Sequence, residues 1–383
     1  MKQIIKNTAR AIGLKTIYNR LIYLALKYRG FELLSLEQTV AFMAPYTLKT
    51  LPEQTVILPR VIDCAEPEKI LFKIHHYVNE AQHVWKYDDA KKKPRISRYG
   101  SVIIRGKVLL TDRIHDSFFK DVWKKDDRPV IVAPVVIAPF SHYQLPTKFF
   151  GYFDFVFCLL VKLFRIKEAL PDADFSDILI TYPPFNGQFE TEYLTLLGIN
   201  PNNLIDSSKY RIESPCVYTA DGPNWYPHPD DIFSLKRYIE KKLKPVKTAS
   251  NRIYVSRAGR RRILNEDELI IALKKFNFVI IEDKPYSIEE QISIYHNASF
   301  IIGPHGASFA NVIWCDPGTH LFELFSPNYV PGFFVHLATI MGLKYTAHYE
   351  GVPDSNINYI QGISEDIHVS VAEVERCLKN ILG

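Results

Sequence analysis

The residues best able to do chemistry gather in the last third of the chain. An apolar run beginning at Ser299 stops at Gly303-Pro-His-Gly306, and a helix-like pattern follows with Asn311 about one turn in. Upstream stand Arg257, Arg260, Arg261 and Arg262, then Glu282-Asp283; Glu323 comes after. This set suits a nucleotide diphosphate. Arginines make bidentate contacts to phosphate oxygens. Gly306 lets the backbone come close to a ligand, and a helix opening at Ala307 offers unpaired N–H groups and a positive dipole end. Glu323 can accept hydrogen bonds from ribose hydroxyls, and Asn311 can bond the preceding loop or the ligand. Taken singly, each feature has an ordinary explanation: a turn, a solvated basic face, or His305 satisfying a backbone carbonyl.

Their common feature is position. From residue 253 the sequence alternates regularly: strands at Ile253–Ser256, Val279–Ile281, Phe300–Ile302 and His320–Phe325, helices at Glu266–Phe276, Ser287–His296 and Ala307–Cys315. Such alternation builds a parallel sheet covered by helices, and ligands bind such sheets at the carboxyl ends of the strands. Arg257, Glu282, His305 and Glu323 all fall at those ends. The first half reads as a looser version of the same pattern, with β-like runs at Ile70–Val78, Val102–Leu110, Val130–Ile137 and Ile178–Tyr182 and helices at Tyr152–Ala169 and Glu190–Leu197. The expected division is a basic helix over 1–31, an α/β domain over 32–229, a linker helix and boundary over 230–251, and a nucleotide-binding domain over 252–383. Two Rossmann-like α/β domains then face each other across a cleft.

Arg252-Ile-Tyr-Val-Ser-Arg-Ala-Gly-Arg-Arg-Arg-Ile-Leu-Asn-Glu266, Glu290-Gln-Ile, Gly303-Pro-His-Gly-Ala-Ser-Phe-Ala-Asn311, Pro317-Gly318 and Glu323 together resemble the C-terminal signature of family 61 glycosyltransferases. The resemblance implies a GT-B-like inverting transferase that takes a nucleotide-activated sugar, with the donor on the C-terminal domain. In the first half, Gly151-Tyr-Phe-Asp-Phe155 best fits the place of the family's Asn-Tyr-x-His-Trp-like element, with Asp154 where the family has histidine and Phe155 where it has tryptophan. An inverting transfer needs a general base, and a carboxylate serves. Asp154 is the expected base; its aromatic neighbours should raise its pKa by desolvation. The competing reading is a helix N-terminal carboxylate favoured by the dipole. His142, His115 and Asp112 are weaker candidates. Asp172-Ala-Asp174 has the spelling of a metal-binding pair but falls before a strand, at the wrong edge, so catalysis is expected to need no divalent ion and no cofactor.

The composition is globular, with 47% hydrophobic and 23% charged residues in 383. Residues 1–31 hold seven basic side chains (Lys2, Lys6, Arg10, Lys15, Arg20, Lys27, Arg29) and no acid, so the net charge of +5 belongs to that segment. Ile4, Ile12, Leu14, Ile17, Leu21 and Leu24 recur there at helical spacing, a pattern suited to an anionic membrane surface. No run reaches the ~18–20 apolar residues of a span, and no secretory signal is evident. The expected place is therefore the inner face of the cytoplasmic membrane, in the assembly of bacterial surface polysaccharide, with a glycan or lipid-linked acceptor as partner and no nucleic acid. Five scattered cysteines without CxxC spacing fit a reducing compartment and argue against a structural zinc site. Two rivals stand beside the transferase: a non-catalytic assembly scaffold with a degenerate nucleotide site, and a dinucleotide-dependent oxidoreductase, against which the absence of GxGxxG counts.

Overall fold

The structure, a computed structural model, describes residues 14–112, 122, 126–140, 151–222 and 225–383. Lys2, Lys6, Arg10, His115 and His142 lie outside these residues.

The first half supplies six strands of one sheet: β1 (Thr47–Leu51), β2 (Gln82–Asp88), β3 (Val135–Ile137), β4 (Leu179–Tyr182), β5 (Leu204–Asp206) and β6 (Cys216–Ala220), in the order β5-β4-β3-β6-β2-β1. The four strands β5 to β6 run parallel, whereas β2 and β1 close the edge antiparallel. A second six-stranded sheet, mixed in direction, was not expected. Two prolines explain it. The run Val130–Ile137 breaks at Pro134 into strands Val130–Val132 and Val135–Ile137, and residues 211–220 break at Pro215 into Arg211–Glu213 and Cys216–Ala220. The two leading pieces pair with each other in the second sheet, the two trailing pieces in the first. Proline cannot donate to a ladder, so both strands change sheets at the same level. The Ser214 hydroxyl pins this crossover at 3.2 Å from the Pro134 carbonyl.

The second half is the regular part. Strands β7 (Asn251–Val255), β8 (Phe278–Ile281), β9 (Ala298–Pro304), β10 (His320–Leu324) and β11 (Lys344–His348) are all parallel, in the order β8-β7-β9-β10-β11. The four expected strands are present; β11, the helix Phe333–Met341 before it and the C-terminal helix Val371–Leu382 extend the pattern. Local signals set the helix ends. Ser287 and Glu290 form a reciprocal capping box at the helix Ile288–His296. Gly342, at φ 66°, ends the helix Phe333–Met341 in a left-handed turn. The segment after Gly306 departs from expectation: Ala307–Trp314 is a 3₁₀ helix.

One buried apolar cluster runs through both halves, from Val84 and Phe164 through Ile232 to Ile301 and Trp314. The helix Pro229–Leu243 is part of that packing: Asp231 receives the fully buried Arg165 guanidinium, with Nε at 2.9 Å. Near the other end, Leu14–Tyr28 is helical and buries Leu26 against Leu33 and Val108, leaving Leu21, Leu24 and Tyr28 exposed. Among the described residues no helix is long and apolar enough to cross a membrane. The cysteines are not all free thiols. Cys64 and Cys377 form a disulfide across 313 residues, while Cys158, Cys216 and Cys315 are unpaired and buried. No spacing rule reveals a pair so distant.

Candidate functional site

The strand order of the second half reverses direction at β7 and β9, and such a switch point leaves a crevice beyond the carboxyl ends. Two cavities open there, and Ala307 borders both.

The larger, of about 590 Å³, lies beyond β7 and β8. Ser256, Glu282 and Tyr286 form one wall, and Gly187 and Phe189, at the start of the helix Gln188–Leu196, face them from the first half. Its inner end is a hydrogen-bonded bridge between the halves. Asn311, almost fully buried, accepts from the Tyr152 hydroxyl at 2.7 Å and donates to Gln291 Oε1 at 2.8 Å. Asn311 thus bonds protein on both sides of the seam. Glu282 borders the mouth, exposed, with its carboxylate 3.3 Å from Lys284.

The smaller cavity, of about 210 Å³, is aromatic and basic. Arg260, Arg261, His305 and Gly306 come from the second half; Asp154 and Trp225 face them, with Tyr329 and Phe333 closing the sides. Arg257 packs over Gly306: a Cβ added there would overlap the Arg257 Nη1. The glycine is needed for this contact and not for its backbone, which is extended. Arg261 is buried, adopts φ 60°, and donates to the carbonyls of His305 (3.0 Å) and Ile363 (2.7 Å). Neutral acceptors leave its charge uncancelled. Burial and the neighbouring Arg257 pull its pKa down to about 10, and burial with Arg260 lowers that of Arg257. Crowded cations beside a cavity give it a positive potential suited to anions.

Asp154 sits one turn into the helix that opens at Tyr152, just before a π-helical stretch, Phe155–Leu160. Its Oδ2 accepts the Gly151 N–H at 3.2 Å and its Oδ1 accepts the Trp225 indole N–H at 3.0 Å. Asp154 thus caps its own helix, as the competing reading expected, and also lines the smaller cavity. Burial raises its pKa to about 6, partly offset by the Trp225 bond. A carboxylate so placed is mostly ionised near neutrality and basic enough to take a proton.

Two expected donor contacts fall elsewhere. Glu323 is fully buried beneath the site and lines neither cavity. It holds His305 through Nδ1 at 2.5 Å and accepts from the Tyr345 hydroxyl at 2.5 Å. Burial pushes the carboxyl well up and the imidazole well down, the latter helped by Arg261 and Arg257. A carboxylate at a strand end can point inward as readily as outward, and here it orients the histidine. Arg262 is exposed and paired with Asp366 at 3.0 Å, because the left-handed turn at Arg261 sends the next side chain outward. Asp112 is also buried away from the cavities, paired with Lys162 at 2.7 Å. Asp172 and Asp174 lie in the exposed loop before β4, as their place in the sequence implied.

Trp225, Tyr329 and Phe333 were not legible as site residues. Trp225 falls in a Pro- and Asn-rich stretch that reads as a crossing; a tryptophan in such a loop was the available signal. Tyr329 and Phe333 follow the last recognisable motif.

No curated protein matches the chain. A family model, described as Glycosyltransferase 61, matches residues 69–322, well over half its length and including Asp154, Arg257, Arg261 and His305. On that match over more than half of its residues, the chain belongs to the glycosyltransferase 61 family.

Proposed function

We propose that the protein is an inverting, metal-independent transferase that moves a sugar from a nucleotide-activated donor to a glycan or lipid-linked glycan. The observation that carries this is Asp154, with its raised pKa, facing Arg260 and Arg261 across one small cavity. In this reading the two halves act as the domains of a GT-B-like enzyme, and the seam between them is the donor cleft. The nucleoside occupies the larger cavity between Phe189 and Tyr286. The diphosphate lies at Gly306 and Ala307 against Arg257, Arg260 and Arg261, and the sugar points to Asp154.

The chemistry then follows from the geometry. The acceptor oxygen attacks the anomeric carbon from the Asp154 side and its proton passes to the Asp154 carboxylate. The anomeric carbon–oxygen bond breaks, and its electron pair goes to the departing diphosphate, whose charge the arginines and the first N–H groups of the 3₁₀ turn stabilise. The anomeric centre inverts.

Membrane association through residues 1–31 and a role in bacterial surface polysaccharide at the inner membrane face belong to the same proposal. They are supported by the acid-free basic segment and by the exposed Leu21, Leu24 and Tyr28 of its helix. A thermal-shift panel of nucleoside mono- and diphosphates tests the donor site. The matching diphosphate should stabilise by about 2.7 kcal/mol at a hundredfold excess over its Kd. No shift with any nucleotide from folded protein sinks the reading.

A further inference from the structure

On the outer edge of the second-half sheet, two strands from β9, four chemically active side chains converge. Asp63 bridges to Ala347 alongside β11, which puts Cys64 next to His348 at the carboxyl end of that edge strand. A nitrogen of His348, an oxygen of Asp63 and the sulfur of Cys64 lie within 4.8 Å of one another. Cys377, on the helix Val371–Leu382, brings a second sulfur against that of Cys64.

The hydrogen bonding there points to a missing ligand. The Asp63 carboxylate is saturated: it accepts the Ala65 and Tyr349 N–H groups at 2.9 and 3.2 Å and bonds His348 Nδ1 at 2.7 Å. The other ring nitrogen, Nε2, is buried without a hydrogen-bond partner, in a residue only 2% exposed. A carboxylate fixing one imidazole nitrogen so that the other can bind is the arrangement found behind metal-bound histidines. Thiolates beside an imidazole nitrogen select zinc over the hard cations.

We propose that, when Cys64 and Cys377 are reduced, this cluster binds one Zn²⁺. The two thiolates and His348 Nε2 are the protein ligands, and Asp63 is the residue that positions the imidazole. A water reaches the fourth position from the cavity of about 350 Å³ that Cys64 borders. Each thiol releases one proton to solvent on binding, and no electrons move. The ion fastens the segment around Cys64 and the C-terminal helix to the sheet edge, as the disulfide does when the sulfurs are oxidised. Cys64, His348 and Cys377 all lie outside the family-matched stretch. Cys64 and Cys377 are 313 residues apart, so no short spacing motif marks the pair.

The test uses the full chain treated with a phosphine reductant, which supplies the two electrons the disulfide takes up. Thiol titration after denaturation should then find all five cysteines free. Added Co²⁺ should give a near-ultraviolet thiolate-to-cobalt band, and zinc followed by desalting should leave one ion per chain by elemental analysis. The Cys64→Ser/Cys377→Ser variant should hold at least about tenfold less zinc, whereas Asp154→Asn should hold as much as the parent. Zinc retained without the thiolate band overturns the proposal, as does no zinc with every thiol free. A disulfide that survives the reductant in the native chain overturns it too, and none of these three results needs a variant that folds.

Discussion

Trp225 and Asp154 are 71 residues apart in the chain, and the indole N–H of one donates to the carboxylate of the other at 3.0 Å. A donor stabilises the charged form of a carboxylate and so lowers its pKa, against the burial that raises it to about 6. Trp225→Phe keeps the ring and removes the donor. The acidic limb of kcat/KM, expected near pH 6 in the parent, should move upward in the variant while donor affinity holds. An unmoved limb would remove Asp154 from the role of base.

Asp154→Asn should lower kcat by about 10²–10⁴, the usual contribution of a general base, and leave nucleotide binding intact in the thermal-shift panel. It should also stabilise the fold. The folded pKa is raised from 3.8 to about 6, so the neutral carboxyl is favoured and stability is lost as pH rises through 6. At neutral pH the loss is about 2–3 kcal/mol. The melting temperature of Asp154→Asn should therefore exceed that of the parent at pH 7 and converge with it near pH 4.

The two neighbouring arginines should separate cleanly. Arg261, buried at the smaller cavity, should abolish the nucleotide-dependent thermal shift when changed to alanine. Arg262, in its exposed pair with Asp366, should change binding not at all and stability by less than about 1 kcal/mol. Equal effects from the two would contradict the site as drawn.

Gly306→Ala probes the space that Arg257 fills. The new methyl group has no backbone strain to relieve or impose, since the residue is already extended. It must instead displace the guanidinium from above the turn. Donor affinity should fall about tenfold or more, and the unliganded protein should melt within a few degrees of the parent.

Divalent ions should be dispensable at the donor site. If Arg257, Arg260 and Arg261 meet the charge of the diphosphate as proposed, turnover by metal-depleted protein should be unchanged on adding Mg²⁺ or Mn²⁺. Strict dependence on either ion would assign that task to a metal instead.

The sequence by itself determined the second-half sheet and the set of groups at its carboxyl edge. Regular alternation of apolar strand and amphipathic helix admits few packings, and the parallel sheet that results delivers its strand ends to one side. Arg257, Arg261, His305 and Gly306 were legible for that reason. Asp154 was legible from its aromatic setting together with the family resemblance. The direction in which each side chain points was not legible, because one left-handed residue, Arg261, turns its neighbour outward and one pleat buries Glu323. Strands of two or three residues carry no readable period, so the second six-stranded sheet and its proline crossovers had to come from three dimensions. Contacts between residues far apart in the chain were decided by tertiary packing alone: Trp225 on Asp154, Tyr152 on Asn311, and Cys64 beside both His348 and Cys377. Local sequence constrains backbone shape over a few residues, whereas such meetings depend on how whole elements bury their apolar faces against one another.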